Sequence, residues 1–263
     1  MNPYLIAAFV VVCLLVPLAI LAYGVKKRFM MYWLPSHFAP KRSLECSIKV
    51  KSRVKGKDKG KQDDLHVFIA VCDHYEPEQG KDPAELAIQR VDRWCAEYPR
   101  LFGDIQDSRG RVPQHTFFYP EDEYRPEYLD RLKELVDGGY GDVDVHLHHD
   151  GDTASILTDK LSAFRDTLYN RHGLLRRDPL TGDIAYGFIH GNWALCNSRP
   201  DGRWCGVDQE LTVLKDTGCY ADFTMPSAPD PTQTSIINSI YYAKDIPGQR
   251  KSHDAGILAK VGG

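Results

Sequence analysis

Apolar positions along the chain fall into two patterns. The first is one unbroken run, Pro3 to Tyr23 (PYLIAAFVVVCLLVPLAILAY), close to the ~20 residues needed to cross a hydrocarbon core. A cleavable signal peptide usually begins with basic residues and has a shorter apolar stretch; here nothing basic precedes the run, and Lys26, Lys27 and Arg28 follow it. The pattern predicts a membrane anchor over residues 1–25. Pro17 inside it is tolerable where neighbouring groups re-satisfy the freed backbone.

The second pattern begins near Leu65 and alternates short apolar runs with amphipathic stretches. Runs of strand length occur at Leu65–Cys72, His115–Tyr119, Val143–His148, Ala185–Ile189, Tyr220–Met225 and Ile236–Tyr242. Between them, helical spacing is carried by Ala87, Val91, Trp94 and Tyr98, by Tyr128, Leu132 and Leu135, and by Leu157, Leu161, Phe164 and Leu168. A shorter helix is predicted over Val207–Leu214, and Asp82 is the expected N-cap of the first helix. This rhythm predicts an α/β domain with a mainly parallel sheet. Polar or aromatic clusters follow the strands: Asp73-His74-Tyr75-Glu76, Tyr119-Pro120-Glu121-Asp122, His146 to Asp152, and His190-Gly191-Asn192-Trp193. Reactive groups at several successive strand ends favour a barrel over an open sheet, where they would gather at one crossover. The expected architecture is a distorted (β/α) barrel, preceded by one N-terminal transmembrane helix. Six strands are few for closure, so the barrel is expected to be incomplete toward the C-terminus.

Charge divides the chain the same way. Of 263 residues, those at 1–25 carry no charged side chain, and 26–62 hold twelve Lys or Arg against Glu45 and Asp58, a balance of +10. The remainder therefore carries −13 of the net −3. Residues 26–62 read as a basic juxtamembrane linker, and 63–263 as the barrel domain. Each basic residue near an anionic membrane contributes ~1 kcal/mol to attraction. Phe29 to Phe38 (FMMYWLPSHF) resembles an interfacial aromatic belt. Nucleic-acid binding is disfavoured, because no aromatics interleave the lysines and the domain is acidic. The positive-inside rule places the domain in the cytoplasm, with a periplasmic location as the alternative. Seven Cys without a Cys-x-x-Cys pair read as reduced thiols.

The densest chemistry lies in Asp142–Thr153 (DVDVHLHHDGDT). His146 and His148 share a strand face, and with Asp150 and His74 they form a pool of ligands for a divalent metal, zinc being the first expectation. Asp73 is the expected base and His190 the expected acid. Trp193 offers a platform for a sugar ring, Asn192 can donate hydrogen bonds, and Arg199 is a candidate for a substrate carboxylate. Asp208 and Glu210 read as the cap and the first-turn charge of a helix. Together these features suggest metal-assisted hydrolysis.

The order of an Asp motif after the first strand, a His-rich motif after the third and aromatic loops later resembles the polysaccharide deacetylase group of carbohydrate esterases. The resemblance spans roughly Leu65 to Tyr242. It implies removal of N- or O-acetyl groups from a cell-surface polysaccharide or its lipid-linked precursor, with a divalent metal. The family's first motif pairs two Asp, a base and a ligand; here Val71-Cys72-Asp73-His74 lets Asp73 match either, and His74 replaces the ligand if Asp73 is the base. The family's two metal-binding His, four apart, correspond to His146 with Asp150 or His148 with Asp152. His190 stands in for the catalytic His of the terminal motif. Two rival readings are a glycoside hydrolase on a related barrel and a non-catalytic glycan-binding scaffold of a synthesis complex.

Overall fold

The computed structural model describes residues 3–39, 67–79 and 82–260. Most of the basic linker, residues 40–62, lies outside the described residues. Helix α1 (Pro3–Lys27) is followed by a 3-10 turn at Met30–Tyr32 and a short helix α2 (Leu34–Phe38). The described side chains of α1 are exposed along nearly its whole length. Among the described residues no helix is long and apolar enough to cross a membrane; the described side chains of α1 run unbroken only over 11–27. The aromatic belt does meet the domain: the Lys251 ammonium lies 4.2 Å from the Tyr32 ring centroid.

The domain runs β1 (Val71–His74), α3 (Ala84–Phe102), β2 (His115–Pro120), α4 (Pro126–Asp137), β3 (Gly141–Leu147), α5 (Ala154–Asn170), β4 (Arg176–Arg177), β5 (Ile184–His190), α6 (Glu210–Asp216) and β6 (Cys219–Asp222). Strands β1, β2, β3, β5 and β6 pair in parallel in that order, and two-residue β4 lies antiparallel to the start of β5. The mostly parallel α/β sheet expected from the alternating pattern is therefore present. Closure is not seen among the described residues, because β1 and β6 remain the two edges. The ladder starts at Val71↔His115, so the expected strand Leu65–Cys72 is shifted to Val71–His74, and Val67 and Ile69 upstream are exposed.

Sequential strand order places successive crossover helices on one side of the sheet. Alternation sends Phe117 and Tyr119 of β2, Val143, Val145 and Leu147 of β3, and Tyr186 and Phe188 of β5 to that side. There they meet Val91, Leu132, Leu157, Leu161 and Leu168 of the helices. Each fully buried leucine contributes ~1.5–3 kcal/mol relative to exposure. The opposite face is polar at its centre, with Asp142 and Asp144 paired to Arg176 and with His146 farther along β3.

Two local expectations change. Asp82 does not cap α3; its carboxylate takes a hydrogen bond from Arg90 at 2.6 Å, and Pro83 holds the N-cap position. The stretch expected as a sixth parallel strand, Ile236–Tyr242, instead leads into a small antiparallel pair, β7 (Tyr241–Ala243) with β8 (Gly256–Leu258). Its start is bent by Asn238 at φ 53° and anchored by Asp254, whose carboxylate accepts from the Thr234 hydroxyl and the Ser235 amide. A half-exposed run with that geometry does not extend the main ladder.

Candidate metal centre

The parallel register sets the carboxyl ends of β1, β2, β3 and β5 side by side, with His74 opposite Phe118, Pro120 opposite His146, and His146 opposite Ile189. Alternation past β1 puts His74 and Glu76 on the polar face, and the same period puts His146 and His148 there from β3. Glu76 is the hub. Its Oε1 lies 3.2 Å from His146 Nε2, 3.6 Å from His74 Nδ1 and 3.6 Å from His148 Nε2. The His74 and His146 rings meet edge to face at 4.5 Å, and those of His146 and His148 at 4.7 Å. His74, Glu76 and His146 present ligand atoms close enough together to hold one ion.

The tautomer of His146 decides how this cluster is read. Its Nδ1 lies 2.9 Å from the Ile189 carbonyl, which can only accept, so Nδ1 carries the proton. Burial pushes the ring toward its neutral form, which leaves Nε2 bare. The contacts to His146 and His74 hold the Glu76 carboxyl well below the usual carboxylate range. An unprotonated Nε2 and an ionised Oε1 at 3.2 Å would set two lone pairs against each other, so either a shared proton or a cation belongs between them. A backbone carbonyl that fixes a histidine tautomer in this way is a common support for a metal ligand.

His148 sits beside this group. Its Nδ1 lies 2.9 Å from Asp122 Oδ1, and that carboxylate raises the affinity of the ring for its second proton. Room for the ring is made by Gly191, where a Cβ would come within 2.2 Å of it. Trp193, held at φ 57° and half-exposed, has its ring 6.3 Å from that of His74.

Other expected residues lie elsewhere. Asp73 projects to the helix side, one position out of phase with His74, and its Oδ1 lies 3.0 Å from His115 Nε2. Asp150 is a loop acceptor, taking the Trp204 amide at 2.6 Å. Arg199 is held by Asp201 of its own loop and by Asp230 of the segment after β6, and lies 4.1 Å from the Trp204 ring centroid. Asn192 contributes its backbone, donating to His190 Nδ1 at 3.2 Å.

His190 belongs to a second group on the buried side. It joins His149, Cys205 and Glu210, all fully or nearly fully enclosed, with ligand atoms close enough to hold a metal ion. Glu210 Oε1 lies 3.2 Å from His149 Nε2 and 3.8 Å from His190 Nε2, while the Cys205 thiol donates to Oε2 at 3.3 Å. Burial pushes the His190 ring down to about 3, so it is neutral. Sequence reasoning passed over Glu76, Asp122, Cys205 and Glu210 as site residues, and counted His149 in the His-rich segment without naming it among the ligands. Strand alternation from His74 points to Glu76, but nothing in the spacing of Cys205 and Glu210 signals their convergence with His190. Comparison with family models, with curated proteins and with solved structures returns no match to this chain.

Proposed function

We propose that this protein is a membrane-anchored, metal-dependent hydrolase that removes acetyl groups from a cell-surface polysaccharide or its lipid-linked precursor. The observation that carries the reading is the convergence of His146 Nε2 and the Glu76 carboxylate at 3.2 Å, with His74 alongside, at the open carboxyl end of a parallel sheet. His74, Glu76 and His146 would hold the ion. When bound, a divalent ion there supplies an acidified water and an electrophile for a carbonyl.

The chain's own residues do the rest. His148, oriented by Asp122, is the group placed to hold and hand over a proton at Nε2. Trp193 offers an apolar plate beside His74 for a sugar ring. In this reading proton transfer rests on His148, because Asp73 and His190 face away from the open cluster. This reading takes the sequential parallel strands, with polar groups at their carboxyl ends, as the arc of an incomplete barrel, in keeping with the family resemblance. Helix α1, apolar on every side, is the proposed anchor, and the basic stretch after it would hold the domain near anionic headgroups.

The test is acetate release from an acetylated amino-sugar polymer by the full chain in detergent. Release should stop with a chelator, return with zinc, and fall by about a hundredfold or more in His146→Ala. Reducing ends without acetate would instead support glycosidic cleavage, and neither product would leave a scaffold.

A further inference from the structure

The second, buried group is separate from the open site and does not depend on the hydrolase reading. It joins four segments: His149 just after β3, His190 at the end of β5, Cys205 in the long connection after it, and Glu210 at the start of α6. A tetrahedral zinc ion with bonds of ~2.0–2.3 Å spaces its ligand atoms by roughly 3.3–3.7 Å. Glu210 Oε1 lies 3.2 Å from His149 Nε2 and 3.8 Å from His190 Nε2, close to those edges, and the Cys205 sulfur lies 3.3 Å from the other carboxylate oxygen, Oε2.

Three further features suit an ion. His190 Nε2 is completely buried, faces the group and has no hydrogen-bond partner. His149 Nδ1 lies 3.3 Å from the Asp152 carboxylate without hydrogen-bond geometry, Lys160 bracing that carboxylate from behind at 2.9 Å, while Nε2 is turned toward the group. The Cys205 sulfur accepts backbone N–H groups from Asn197 at 3.2 Å and Val207 at 3.4 Å, and its thiol donates to Glu210, so a bound ion would displace that proton. One carboxylate and one thiolate would neutralise a divalent charge, so the closed site would carry no net charge into the core. Loading costs one hydrogen bond: an imidazole bound through Nε2 keeps its proton on Nδ1, so the Asn192 amide that now donates to His190 Nδ1 must turn away.

We propose that His149, His190, Cys205 and Glu210 form a closed structural site for zinc or a similar thiolate-binding ion, distinct from the open His74–Glu76–His146 site. Its role is to staple the connection between β5 and α6. That connection has only a 3-10 turn at Leu195–Asn197, and it holds Trp193, Cys196, Asn197 and Trp204 in the left-handed region. Each such residue is strained, and a ligand joining Cys205 to the sheet holds the strained path in place. Trp193, at its start, is thereby kept beside the open site.

Cobalt(II) substitution of the full chain in detergent tests this. After chelation and loading, the wild type should show an intense thiolate-to-cobalt charge-transfer band in the near ultraviolet. Nitrogen and oxygen ligands alone do not produce it. The band should persist in His146→Ala and vanish in Cys205→Ser, with metal content falling from about two ions per chain to about one in each single variant. Melting of His146→Ala should still drop when chelator is added. Cobalt bound to wild type or His146→Ala without the band, or a His146→Ala protein that retains no metal, overturns the proposal. These two readouts need only wild type and His146→Ala, so the test survives a Cys205→Ser protein that does not fold. Loss of one ion in His146→Ala with the band intact bears on the open site alone.

Discussion

Gly191 shows how one residue conditions the open site. A Cβ there would lie 2.2 Å from the His148 ring, so Gly191→Ala must push that ring off Asp122. Overpacking of this kind costs about 1–3 kcal/mol, and a heteronuclear spectrum should show the His148 ring signals displaced while those of His149 stay put. Asp222 gives a pH test at the same scale. Burial pushes its carboxyl up to about 7, and Thr224 accommodates it through a hydroxyl 2.6 Å away. The folded state thus holds this proton more tightly than the unfolded chain. Its stabilising contribution is complete below about pH 4 and is lost as pH rises through about 7. Asp222→Asn removes that dependence, so its melting temperature should gain on wild type between those pH values and run parallel above them. At this scale the sequence was informative where chemistry clusters locally. His146 and His148 stand out by type and by their two-residue spacing, and His74 by its place at a strand end. Asp73 stands out equally by type, yet its phase along β1 turns it to His115. The face to which a strand residue points depends on which face the helices cover, and that is settled only when the sheet assembles.

Among elements, α5 is the one its pattern specified most fully. Leu157, Leu161, Phe164 and Leu168 recur at helical spacing and are all buried, and the Thr153 hydroxyl caps the helix by accepting the Ile156 amide at 3.3 Å. Leu161→Ala should destabilise the domain by about 2–5 kcal/mol in a denaturant titration, whereas exposed Ile156→Ala on the same helix should shift it by less than about 0.5 kcal/mol. Equal losses would show that α5 packs on a different face. The connection from β5 to α6 is the opposite case. Its hydrophobic and turn residues indicate a loop but no path, because its course is fixed by long-range contacts of Glu210 and Asp152 rather than by period. That is why Glu210 reads as an ordinary first-turn charge until the fold encloses it among two imidazoles and a thiol. The stretch Ile236–Tyr242 fails for a related reason. Apolar composition alone does not supply the neighbour to which a strand must pair.

For the whole molecule, the alternation of strands and helices foretold a parallel sheet with its polar ends aligned, and that is the frame on which the open cluster sits. Closure was beyond its reach, since pairing between first and last strands leaves no periodic trace. The charge pattern separates an uncharged start, a basic stretch and an acidic domain, which fits an anchored enzyme working close to a membrane. Everything in that account depends on an ion at His74, Glu76 and His146. The most direct measurement is zinc titration by calorimetry of chelator-treated Cys205→Ser protein, in which the buried group has lost its thiolate. The account predicts saturable binding at about one ion per chain and its loss when His146→Ala is added. No binding in Cys205→Ser that still melts cooperatively, or binding unchanged by His146→Ala, would contradict it.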